Sequence, residues 1–142
     1  MKKIRNKKYK VIRQQLKWNK YKSIYSLLKE LAHYSKNLYN QALYIVRQDF
    51  FNNNGKEKKY KNFYDVNEEL KGTENYSLLQ ACCSQQTLKI VDQNFQSFFA
   101  LCKKKIKYNI PKYLHKDGFF KVCDPEGMKH INLIDKKLKN II

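Results

Sequence analysis

From Ser23 to Asn52 the chain reads SIYSLLKELAHYSKNLYNQALYIVRQDFFN, the longest uninterrupted helical pattern in the sequence. Ile24, Leu27, Leu28, Leu31, Leu38, Ala42, Ile45 and Val46 recur on one face of a 3.6-residue repeat. Ser23 stands where an N-cap belongs, and Asn52, Asn53, Asn54 and Gly55 supply the stop. A helix of that length spans about 40 Å at ~1.5 Å per residue, enough to cross a small domain. The opposite face carries Lys29, Lys36, Asn37, Asn40, Gln41, Arg47 and Gln48. One face is suited to a core, and the other to water or a polyanion.

The polyanion matters because of charge. With 30 Lys and Arg against 12 Asp and Glu, the 142 residues carry a formal +18. Self-repulsion of that size calls for a neutralising partner, and nucleic acid is the commonest one. The cations are nearly all Lys, which favours phosphate contacts over base reading. Aromatic residues make up 14%, so a modest core is feasible in what length predicts to be one domain or part of a larger protein. The opening MKKIRNKKYK has no apolar segment of a signal peptide, and no apolar run approaches the ~20 residues of a membrane span. Cys82, Cys83, Cys102 and Cys123 form no CxxC pair and read as reduced, mostly buried thiols of a cytoplasmic protein. His33, His115 and His130 are too scattered for a zinc site, and no cofactor is expected.

After a basic arm over residues 1–8, Tyr9 to Trp18 alternates as a strand would, with neither face cleanly apolar. Beyond the long helix and the basic run KEKKYK, Asn62 to Leu70 reads as a short helix. Asn62 or Asp65 is available to cap it, and Gly72 ends it. Thr73 to Tyr76 reads as a loop. Ser77 then opens a second long helix, with Gln80 at the capping-box position, reaching about Ile106. Leu88, Val91, Phe95, Phe98, Phe99 and Cys102 form its core stripe, with Lys103, Lys104 and Lys105 in the last turn. Ile110 to Leu114 is extended because of Pro111; Gly118 to Cys123 is a predicted strand, and His130 to Ile142 a predicted amphipathic helix. The expected architecture is mainly α with an α+β fringe: a helical bundle with two long amphipathic helices, flanked by short strands.

No glycine-rich phosphate loop, nucleophile elbow or zincin motif is present. Glu68, Glu69, Asp92, Asp117, Asp124 and Glu126 read as surface carboxylates that balance lysines, not as a converging metal site, so no catalytic residue is assigned. Basic runs at Lys2–Lys10, Lys56–Lys61 and Lys103–Lys112 interleave with Tyr9, Trp18, Tyr21, Tyr39, Tyr60 and Tyr108, a composition suited to phosphate binding and base stacking.

Five sequence words, in order, resemble the TnpB family: SKNLYN followed by ALYIVRQDFF, then YDVNEELK, then SQQTLKIVDQNFQSFF, and last IPKYLHKDG. TnpB (formerly OrfB) proteins are transposon-encoded RNA-guided DNA endonucleases related to type V CRISPR effectors. The resemblance covers roughly Tyr9 to Phe120 and implies the N-terminal half of such a protein. Residues 1–22 would be a basic arm and strand of a wedge-like β module, 23–107 the helical recognition lobe, and 108–142 a return to the β module. It also implies that the lobe grips guide RNA and DNA, with Lys36, Asn37, Asn40 and Arg47 on its first helix. Phe63, Asn67 and Gln85 fall where the family contacts the target-adjacent motif, and an amide there can pair bidentately with adenine. Lys103, Lys104 and Lys105 would meet phosphates. The family's RuvC-like carboxylates and zinc ribbon lie downstream of the matched region. The expectation is therefore a truncated copy that binds RNA and DNA without cutting, unless a separate chain supplies the catalytic half. A transcriptional regulator derived from TnpB and a decayed, non-functional copy are the alternatives.

Overall fold

The computed structural model describes residues 13–15, 17–20, 22–52 and 60–124. Four helices occur among them: α1 (Lys22–Asn52), α2 (Phe63–Leu70), α3 (Glu74–Ser77) and α4 (Ala81–Lys103). An extended segment, here the strap, follows α4 from Ile106 to Asp124, interrupted by a turn at Lys116–Asp117.

The core lies between the two long helices. Leu38, Tyr39, Ala42, Leu43 and Val46 of α1 pack with Leu88, Val91, Phe95 and Phe98 of α4, and Val66, Leu70, Tyr76 and Leu79 close the side. Cross-helix pairs set the direction. Ser35 meets Thr87, Tyr39 meets Asn94, and Phe50 meets Phe98, so α1 and α4 run the same way. A parallel pair needs a long return, and α2 supplies it. Its N-terminus lies by the C-terminal half of α4 (Tyr60 on Phe99 at 4.7 Å), and its second turn reaches Tyr76 just before α4 begins. Phe95 is fully buried at the centre; truncation to Ala there would cost about 3–5 kcal/mol.

Of the predicted α1 stripe, Leu38, Ala42 and Val46 are buried, Ile24, Leu27, Leu31 and Ile45 are half-buried, and Leu28 is exposed. Tyr39, expected as a base-stacking ring, is instead 4% exposed, with its ring 4.6 Å from that of Phe120. Tyr60 is likewise packed on Phe99, whereas Trp18 and Tyr108 are exposed; Tyr9 and Tyr21 lie outside the described residues.

Asn62 caps α2, not Asp65: Asn62 Oδ1 accepts from Asp65 N–H and the Asp65 carboxylate accepts from Asn62 N–H, both at 3.1 Å. The second long helix begins at Ala81 rather than Ser77, and Glu74–Ser77 forms a separate turn of helix where a loop was expected. The local reason is a pair of serines. Ser77 Oγ donates to Glu74 O, and Ser84 Oγ donates to Tyr76 O at 2.8 Å, taking a carbonyl that a continuous helix would give to its own backbone.

The expected β fringe is contradicted: no strand occurs among the described residues. Within Tyr9–Trp18, the described Arg13–Gln15, Lys17 and Trp18 are exposed and join no ladder; the rest of that segment, and His130–Ile142, lie outside the described residues. Gly118–Cys123 is extended but pairs with a helix. Phe120 N–H donates to Ala32 O at 3.0 Å, and Lys121 O accepts from Ser35 Oγ at 2.9 Å. These bonds to α1 take the place that a neighbouring strand would fill for Phe120 and Lys121.

Candidate nucleic-acid interface

The polar row of α1 holds the strap. Lys36 Nζ donates to Lys116 O at 2.5 Å. Asn40 makes a reciprocal pair with Leu114: Nδ2 donates to Leu114 O at 3.0 Å, and Oδ1 accepts from Leu114 N–H at 2.9 Å. Arg47 Nη1 donates to Pro111 O at 2.9 Å, and its guanidinium lies over the Tyr113 ring at 4.8 Å. His33 Nδ1 lies 3.4 Å from Gly118 O. Bonded positions rise along α1 as they fall along the strap, so the two run antiparallel. The geometry matches in length. Eleven helical residues separate Lys36 from Arg47, about 16 Å, and five extended residues separate Pro111 from Lys116, also about 16 Å.

This arrangement gives three of the four α1 candidates an intramolecular partner. Lys36 is 4% exposed, and no carboxylate pairs with it among the described residues. Its ammonium is held by a carbonyl dipole. Asn37, beside it, is half-buried. A polyanion would reach Lys36 only if the strap moved.

Phe63, Asn67 and Gln85 are gathered along the seam of α2 and α4. The Lys89 ammonium sits 5.3 Å over the Phe63 ring, and Gln85 is one turn before Lys89 on the same side of α4. Asn67, one turn beyond Phe63, accepts from the Tyr76 hydroxyl at 3.0 Å. That leaves Asn67 a second oxygen lone pair and the amide N–H groups, which a bidentate contact to adenine requires. Gln85 is half-buried and makes no side-chain hydrogen bond among the described residues. Sequence reasoning missed two members of this surface: Tyr64, 74% exposed beside Phe63, and the exposed Lys89. The Lys89 signal was available as the i+4 neighbour of Gln85.

Lys103, Lys104 and Lys105 form the exposed end of α4, some distance along the helix from that seam. The helix closes in a Schellman motif: Ile106 N–H donates to Leu101 O at 3.1 Å and Lys105 N–H to Cys102 O at 3.0 Å. Lys105 takes the left-handed position, at φ 56°, that glycine usually fills. Lys107, Tyr108, Lys112 and Tyr113 extend the exposed basic and aromatic surface along the start of the strap.

Among the carboxylates, Glu69 and Glu68 pair with Lys61 and Lys71, each at 2.8 Å, as balancing surface charges. Asp92 is not on the surface as expected. It is half-buried, accepts from Gln96 at 2.8 Å, and burial raises its pKa against these hydrogen bonds. No disulfide joins the four cysteines; Cys83 is buried, Cys82 and Cys123 half-buried, and Cys102 exposed. Burial, and then the neighbouring Cys82, push the Cys83 thiol up to about 12. No described helix is long and apolar enough to cross a membrane.

Compared with models of known families, with curated proteins and with solved structures, the chain matches none. The likeness to TnpB therefore rests on the sequence words alone.

Proposed function

We propose that this chain is a nucleic-acid-gripping module of the TnpB type, which holds RNA and the DNA next to its target. The observation that carries the reading is that the words behind the resemblance pack on one another. Lys36 and Asn40 of SKNLYN clasp the IPKYLHKDG segment, and Ser35 of the same word lies 3.1 Å from Thr87 of SQQTLK. Words that carry a family likeness and also lock together behave as one structural unit.

The exposed chemistry suits the role. Along the α2–α4 seam, Phe63 and Tyr64 offer ring faces, Asn67 and Gln85 offer amides, and Lys89 a cation, the groups that stack on and read bases. Lys104, Lys105 and Lys107 at the end of α4 offer point charges to phosphates. Lys36, Asn40 and Arg47 serve the interface from beneath, by fixing the strap that carries Lys112 and Tyr113. The role proposed is binding, with cleavage outside it.

Fluorescence anisotropy with a structured RNA and with duplex DNA tests the reading. If six to ten cations meet phosphates, affinity drops about 10³–10⁵-fold between 50 and 200 mM salt. Asn67→Ala and Gln85→Ala should relax preference among DNA sequences by about 1–3 kcal/mol while leaving the salt slope intact. Absence of binding, or binding indifferent to salt, would refute it.

A further inference from the structure

Two of the four cysteines, Cys82 and Cys83 in the first turn of α4, meet Asp124 of the strap. Cys82 Sγ lies 4.0 Å from Cys83 Sγ and 3.8 Å from an Asp124 carboxylate oxygen, and the three donor atoms all lie within 4.8 Å of one another. Tetrahedral zinc with metal–sulfur bonds of ~2.3 Å and metal–oxygen bonds of ~2.0 Å requires S···S separations of about 3.8 Å and S···O separations of about 3.5 Å. The two spacings from Cys82 are within a few tenths of an ångström of these values, and the third, from Cys83 to Asp124, is no more than 4.8 Å.

A second observation points to a ligand in the same place. Cys83 and Asp124 line a cavity of about 330 Å³, which Gln80 also lines. Gln80 Oε1 is buried and has no donor among the described residues. A buried amide oxygen without a partner is uncommon and calls for a water, an ion or a group held by one.

We propose that Cys82, Cys83 and Asp124 bind one thiophilic divalent cation of the zinc class, with its fourth position left to solvent or a further donor. Binding would fasten the end of the strap to α4. Cys82 and Cys83 come from one segment and Asp124 from another about 40 residues away, so the cation would close a long loop. Each thiol that ligates gives up its proton to solvent, so uptake of the metal acidifies a weakly buffered solution. Mixed sulfur and carboxylate donors favour zinc or cobalt over magnesium or calcium, which prefer all-oxygen sites.

The test is a cobalt(II) titration of the full chain, reduced with a non-thiol reductant, followed by displacement with zinc. The expected result is one equivalent bound, with thiolate-to-cobalt charge transfer and tetrahedral d–d bands that zinc bleaches. Cys82→Ser and Asp124→Asn should each weaken binding at least ~10-fold, whereas Cys102→Ser, at the far end of α4, should not. Asp124→Asn leaves the first turn of α4 intact, so its outcome does not hinge on helix stability. No charge-transfer band, or full affinity retained in Cys82→Ser or Asp124→Asn, would overturn the assignment.

Discussion

Replacing Asn40 by Ala should unclasp the strap. The substitution deletes both halves of the reciprocal pair with Leu114, at 3.0 and 2.9 Å, and leaves the Leu114 N–H and C=O half-buried without partners. Two such bonds are worth ~0.5–1.5 kcal/mol each, and stranded groups add desolvation where water cannot reach them, so the loss should be about 2–3 kcal/mol. For a domain of about 100 residues, each kcal/mol shifts Tm by ~4–8 °C, which puts the change at about 8–24 °C. Urea unfolding gives the energy. Trypsin reports the strap itself, because Lys112 and Lys116 are exposed on it. Cleavage there should accelerate in step with the lost stability. Gln48→Ala, an exposed change on the same helix, should stay within ~0.5 kcal/mol of the native protein. An Asn40→Ala protein with the native urea midpoint and the native trypsin rate would refute the clasp.

Three further outcomes follow from particular residues. Lys105→Gly should stabilise by about 0.5–1 kcal/mol in thermal unfolding, since φ 56° is strained for Lys and free for Gly. Burial raises the Tyr39 pKa, partly offset by the hydrogen bond from Asn94. The folded state then holds this proton at pH values where the unfolded chain releases it, so stability should fall as pH rises above 10, and Tyr39→Phe should flatten that limb while costing about 1 kcal/mol at neutral pH. With its thiol at about 12, Cys83 is thiolate in roughly one molecule in ten thousand at pH 8, so iodoacetamide should modify exposed Cys102 at least ~100-fold faster in the native protein, and denaturant should abolish the difference.

Periodicity carried the helices well, because burial of an apolar stripe is a local pattern. Phe95, Phe98 and Phe99 are core, as their spacing implied. It carried the polar faces poorly. Lys36, Asn40 and Arg47 are visibly polar in the sequence, but their partner is a carbonyl row more than 60 residues away, and no local pattern distinguishes that from phosphate or water. The same long-range contact misled the reading of Gly118–Cys123, since a β-like stretch can bond to a helix's carbonyl and side chain as well as to another strand. Tyr39 looked like a stacking ring because it lies beside polar residues, yet Phe120 covers it. The meeting of Cys82 and Cys83 with Asp124 depends on where the strap ends, which no spacing rule encodes.

The most direct test of nucleic-acid binding is the salt dependence of RNA affinity in a Lys104→Ala/Lys105→Ala/Lys107→Ala protein beside the native one. All three side chains are exposed at or just beyond the end of α4, so the fold should persist by circular dichroism. Removal of three phosphate contacts should lower the slope of log affinity against log salt by about 2–3 and weaken binding to every RNA tested alike. Equal slopes for the two proteins would contradict the placement of the phosphate grip at the end of α4.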